Sequence, residues 1–198
     1  VPSLSPGNGS LDVTWSAPNN EGSPITSYDI TLNGSDGSTR QESAGAGLTK
    51  TTVSNLENGV TYYVSIVARN SAEKQAEWSE KATATPHGKP DTPSNVGLEH
   101  VGSSRDGSTG SVVISWSLGK SGGSDWGPTT VTVDNKPKTV DGGTTSVQFD
   151  GVSASSSLTV NVDVSNAEGD HASSGDKSFS LLTVPMPISA PRLEGTGY

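Results

Sequence analysis

The sequence contains no cysteine, one methionine and only two phenylalanines. Without cysteine there is no disulfide, no thiolate metal site and no cysteine nucleophile. Compartment stays open on this point, because secreted bacterial domains also do without cysteine. No apolar run approaches the ~18 residues of a membrane-spanning helix. Basic residues are scarce, 12 against 21 acidic ones, for a net charge of −9. Such a surface repels phosphate backbones and anionic lipid headgroups, so neither nucleic acid nor membrane is an expected partner. Histidine is equally sparse. His87, His100 and His171 are far apart, no HExxH pattern occurs, and no glycine-rich phosphate loop follows a strand. Asp134, Asp141 and Asp150 fall in polar stretches whose spacing fits no calcium loop. No enzyme activity, cofactor or metal is expected.

What the chain does contain is short alternation. Ser10–Ser16 reads SLDVTWS, with Leu11, Val13 and Trp15 on one side, and Ser111–Ser117 reads SVVISWS, with Val112, Ile114 and Trp116 on one side. The two tryptophans stand 101 positions apart. Leu56, Tyr62, Val64, Ile66, Ala68 and Asn70 recur 96 positions later as Val152, Leu158, Val160, Val162, Val164 and Asn166. Period-2 spacing marks strands with one buried face. Further strands are expected at 25–32, 51–56, 76–85, 96–99, 130–134, 146–149 and 177–183, giving two sets of about seven. Turn residues separate them at Asn19–Gly22, Asn33–Gly37, Ser121–Ser124 and Asp141–Gly143. No window carries a capped 3.6-residue period, so almost no helix is expected. The pattern predicts an all-β chain of two sandwiches in tandem.

Thr85–Pro93 holds three prolines in nine residues. It cannot join a central strand and reads as a short, partly stiff linker that leaves an elongated pair of domains. The expected boundaries are a first domain over 1–86, a linker over 87–93, a second domain over 94–184, and a tail or second linker over 185–198. Val1 begins inside what reads as a shortened first strand, so the chain is expected to be a piece of something longer.

Trp15 followed by Ala17-Pro18, the Gly22–Tyr28 stretch, Leu56 with Tyr62 six residues on, Ala68-Arg69-Asn70 and Trp78-Ser79-Glu80 together resemble the fibronectin type III family. The match covers nearly all of residues 1–86. It implies a β-sandwich in which Tyr62 forms a tyrosine corner, its hydroxyl bonded back to the backbone. Residues 91–183 match less fully. Trp116 and the Leu158–Asn166 strand fit, but Leu158 stands where the corner tyrosine belongs, at a cost of roughly 1 kcal/mol for the missing hydrogen bond. An immunoglobulin-like variant competes there. In style the acidic, Ser-, Thr- and Gly-rich chain is similar to repeats of actinobacterial surface proteins, including bifidobacterial ones. That resemblance implies an extracellular or cell-surface setting and a host protein ligand, such as a matrix protein or a cytokine like tumour necrosis factor.

Trp15, Trp116, Leu56, Tyr62 and Leu158 are the expected structural core. Leu11-Asp12-Val13 spells an integrin-read tripeptide, but Leu11 and Val13 should point inward. Arg105-Asp106-Gly107 is not the adhesive order. Asn8 and Asn33 begin glycosylation-type triplets, as chance allows in a chain this rich in serine. Trp126, following Ser121–Asp125 in the loop between the second and third strands of the second domain, is a candidate contact residue, because tryptophan dominates binding hot spots. Its alternative role is a lid over the sandwich end. Tyr63 should face outward and is a second candidate. Trp78-Ser79 resembles half of the WSxWS box of cytokine receptors and supplies the third. Contact loops are expected at 17–25, 69–77, 118–128 and 166–176. The expected function is an extracellular protein-binding module, monomeric and without membrane insertion. The alternatives are passive spacer domains of a secreted enzyme or adhesin, and an animal adhesion or receptor ectodomain.

Overall fold

The computed structural model describes residues 1–20, 22–71, 76–103, 108–153 and 157–180. The tail expected at 185–198, residues 181–183 of the last expected strand, Arg105-Asp106-Gly107, and residues 21 and 72–75 of two expected contact loops lie outside the described residues.

Alternation becomes sheet along most of the chain. The first sandwich has β1 (Ser3–Gly7), β2 (Ser10–Thr14), β3 (Ile25–Gly34), β4 (Thr39–Gly45), β5 (Lys50–Ser54), β6 (Tyr62–Asn70) and β7 (Ala82–Ala84). The second has β8 (Ser94–Ser103), β9 (Thr109–Ser117), β10 (Trp126–Val133), β11 (Lys136–Val140), β12 (Ser146–Ser153), β13 (Ser157–Asn166), β14 (His171–Ser173) and β15 (Lys177–Ser180). A three-stranded sheet β1-β2-β5 faces a four-stranded sheet β4-β3-β6-β7. The second sandwich repeats this order, with β8-β9-β12 opposite β11-β10-β13-β14 and β15 also paired to β13. Every pairing is antiparallel. No helix occurs among the described residues.

Each sandwich buries its own core. Leu11, Val13, Trp15, Tyr28, Ile30, Leu32, Leu56, Tyr62, Val64 and Ile66 interlock in the first. Val112, Ile114, Trp116, Val131, Val133, Phe149, Leu158, Val160, Val162 and Val164 do so in the second. Two separate clusters mean two separate sources of stability, each buried aliphatic side chain contributing about 1.5–3 kcal/mol.

Three strands, β4, β11 and β14, stand where none was expected. β4 and β11 are edge strands whose side chains are mostly exposed. They carry no inward apolar series because only one side of each is paired, and polar edges are how sheets avoid joining one another. The β10–β11 connection is a two-residue turn in which Asp134 and Asn135 both take positive φ, 45° and 65°. That is the primed hairpin turn whose twist matches its strands. The strand expected over 76–85 shrinks to Ala82–Ala84.

Candidate interaction surface

Ser79 interrupts the last strand of the first sandwich. Its amide donates to the Ile66 carbonyl at 2.8 Å, while its Oγ accepts the Ile66 amide at 3.0 Å and donates to the Glu80 carbonyl at 2.9 Å. A hydroxyl thus replaces a main-chain carbonyl in the ladder, which keeps β6 satisfied where the neighbouring strand bends away. Ser174 does the same in the second sandwich. Its amide donates to Val162 at 2.8 Å, its Oγ accepts the Val162 amide at 3.0 Å and donates to Gly175 at 2.9 Å. Sequence reading missed this pair, although Ser79 and Ser174 keep nearly the spacing of the repeat.

The Tyr62 hydroxyl accepts the Glu57 amide at 3.1 Å, five residues back along the chain. Leu158 is fully buried in the corresponding place. Beside it Asp134 supplies a different bond, its Oδ1 accepting the Thr159 amide at 2.8 Å.

Residues 3–85 match the Fibronectin type III domain family. No curated protein matches the chain in sequence. Among solved structures it is similar to a two fibronectin type-III domain segment from chicken tenascin, with 18% identity over 92% of this chain and 98% of that one and a TM-score of 0.46. It is also similar to the FN1–FN3 domains of chicken CNTN1, with 14% identity over 90% of this chain and 64% of that one and a TM-score of 0.38.

On the first sandwich, β6 sends Tyr62, Val64, Ile66 and Ala68 into the core. Tyr63 and Arg69 therefore face outward, and Tyr63 is 41% exposed. Val67 shares that outer face yet is 1% exposed. Trp78, the residue before Ser79, is not part of the inner cluster. Trp78 is itself 45% exposed. On the same face Arg69 Nε meets Asp29 Oδ2 at 2.6 Å. Two large aromatic groups thus stand in solvent on the first sandwich, Tyr63 on the sheet face that also carries the charged pair.

The second sandwich differs. Trp126 is the first residue of β10 and not a loop residue. It pairs with Asn166, as Ile25 pairs with Asn70 in the first sandwich, and in both a bulge follows. Like Ile25 it is half-buried and packs on the core. The outer face of β13 carries Asp163 where β6 carries Val67, and Asp163 Oδ1 lies 2.8 Å from His171 Nδ1.

Of the expected contact loops, 118–128 and 166–176 meet the linker. Asp91 donates its amide to Lys120 O at 2.8 Å, and Asn166 Nδ2 donates to Gly88 O at 2.9 Å. The loop at 17–25 lies by a cleft of about 290 Å³ whose walls include Val1, Pro2, Trp15, Pro18, Tyr28 and Ala76. Trp15 Nε1 and Tyr28 Oη are buried nearby without a hydrogen-bond partner, and the two rings meet edge to face at 5.2 Å.

No group of three or more potential ligands for a metal occurs among the described residues. Two carboxyls are held below their ordinary value. Asp36 accepts the Ser38 hydroxyl at 2.7 Å and its amide at 3.0 Å. Asp150 accepts Gln148 Nε2 and Ser111 Oγ, each at 2.7 Å, with Lys138 adding attraction. Both are open to solvent and stabilise local turns and pairings, which is no basis for acid–base chemistry.

Proposed function

We propose that this chain is a protein-binding module of an extracellular or cell-surface protein, and not an enzyme. Its functional units are residues 1–86 and 94–184, joined by 87–93, with 185–198 a tail or second linker. The contact surface is the outer face of the β4-β3-β6-β7 sheet around Tyr63 and Trp78. The observation that carries this reading is their joint exposure, 41% and 45%, on the same sandwich. Aromatic side chains in that position give large contact area at low conformational cost and are enriched at binding hot spots. The half-buried Trp126 ranks below them. On the resemblance to bacterial surface repeats, the parent is a bacterial surface protein and the ligand a host protein, a cytokine or a matrix component.

The test is surface-based binding of the chain to a panel of host cytokines and matrix proteins. Trp78→Ala, Tyr63→Ala and Trp126→Ala are run in parallel at two salt concentrations. A saturable signal lost with Trp78→Ala or Tyr63→Ala supports the surface. A signal lost only with Trp126→Ala moves the site to the second sandwich. A folded chain that binds nothing on the panel favours the spacer reading, in which the two sandwiches only hold a neighbouring domain at a distance.

A further inference from the structure

The junction between the sandwiches carries an inference independent of any ligand. Pro86, Gly88, Pro90 and Pro93 are all buried, which is unlike a solvated spacer. The Pro86 carbonyl accepts the Gly59 amide of the first sandwich at 2.9 Å. Two residues on, Gly88 donates its amide to Gly122 O at 2.8 Å and accepts Asn166 Nδ2 at 2.9 Å, both from the second sandwich. Asp91 and Lys120 then exchange two bonds, Asp91 N to Lys120 O and Lys120 N to Asp91 Oδ2, each 2.8 Å. One residue, His87, therefore separates a backbone group held by the first sandwich from one held by the second.

The two sandwiches also touch directly, through glycines. A Cβ on Gly59 would lie 3.2 Å from the Gly123 Cα, and one on Gly123 would overlap Asn58 and the Gly59 amide. A Cβ on Gly122 would overlap the Gly88 carbonyl, and one on Gly88 would overlap the Asn8 side chain. Gly122 and Gly123 hold φ of 86° and 99°, which side chains resist. Asn8 and Asn58, joined at 2.7 Å, form the floor of the seam on the first sandwich. On the other side Asn166 is buried. Its Nδ2 also reaches Ser121 O at 3.4 Å, and its Oδ1 accepts the Glu168 and Asp170 amides at 3.1 and 2.9 Å. The His87 ring lies between those two carboxylates, 3.9 Å from Glu168 and 3.7 Å from Asp170.

We propose that this glycine seam and the Asn166 bracket form a clasp that fixes the orientation of the two sandwiches, so that the tandem pair moves as one stiff body. Adjacent domains on a short linker ordinarily move relative to one another unless their interface prevents it. Here backbone lies on backbone, the linker is bonded on both sides, and loops 118–124 and 166–170 are occupied by the clasp.

The experiment is NMR of the intact chain, comparing residual dipolar couplings and amide relaxation between the sandwiches. One shared alignment tensor and one rotational correlation time are expected. Asn166→Ala and Gly123→Ala should each split the tensor. They should also cut the correlation time by roughly half, since each sandwich has about half the mass of the 20.2 kDa chain. His87→Ala leaves the folded loops intact and should give a smaller split in the same direction. Two unrelated tensors in the unaltered chain would overturn the clasp. So would a single tensor that survives in folded Asn166→Ala, Gly123→Ala and His87→Ala alike.

Discussion

The two sandwiches share one strand order and solve the same local problems with different residues. At the turn before the sixth strand, the first uses the Tyr62 hydroxyl on the Glu57 amide. The second has a leucine there and ties β13 to the β10–β11 hairpin through Asp134. At the interrupted last strand both use a serine, Ser79 and Ser174, in the same three bonds. At the start of the third strand the first packs Ile25 on its core and the second Trp126. The lesson is that the fold demands a satisfied backbone group and a covered core at these points, and does not demand a particular side chain.

The largest test of that comparison is removal of the core tryptophans. Trp15→Ala and Trp116→Ala should each destabilise their own sandwich by about 3–5 kcal/mol. Calorimetry should show one transition lowered far more than the other in each variant, since the cores are separate. Equal lowering of both transitions by either variant would show that the two cores unfold as one.

Next comes the serine pair. Ser174→Ala leaves the Val162 amide without its acceptor in a buried site and should cost about 1–3 kcal/mol. Ser79→Ala sits in a less buried place and should cost less. Chemical denaturation of both variants measures this, and a costlier Ser79→Ala would break the equivalence.

The corner bond is smaller again. Tyr62→Phe keeps the ring and loses only the bond to Glu57, for about 1 kcal/mol. Asp134→Ala removes an exposed bond to Thr159 and should cost a few tenths less. If Asp134→Ala has no effect on the second sandwich, the hairpin tie is no substitute for the tyrosine corner.

The smallest effects are electrostatic. In the folded state Asp36 and Asp150 titrate below the ordinary carboxylate value. A folded value below the unfolded one adds stability above the ordinary carboxylate range, and that stability is lost as pH falls through the folded value. Carbon-detected NMR titration should find Ser38→Ala raising Asp36 and Gln148→Ala raising Asp150. A carboxyl that does not move would show that its other donors, Asp36's backbone bond or Ser111 and Lys138 at Asp150, suffice.

Much of this was legible in the residues. Inward alternation at Leu11 and Val13, at Tyr28, Ile30 and Leu32, and at Val160, Val162 and Val164 announced strands and cores, because a half-buried strand must repeat every two residues. Edge strands β4 and β11 were not legible, since a strand paired on one side with little buried surface carries no such period. Trp126 shows a different limit. Its sequence context of serine, glycine and aspartate reads as loop, and only the pairing with Asn166 and the core behind it decide that it packs as a strand residue.

The sequence by itself determined that this is an all-β, acidic, cysteine-free chain with two repeats and a proline-rich join. Local periodicity and turn chemistry specify those features without long-range information. Only the tertiary structure decided that Trp78 stands exposed and Trp126 half-buried, that Ser79 and Ser174 replace main-chain carbonyls, and that Gly59, Gly88, Gly122 and Gly123 meet at the junction. Each of these depends on residues far apart in the chain arriving at one place, and a glycine announces its missing side chain only when another backbone lies against it.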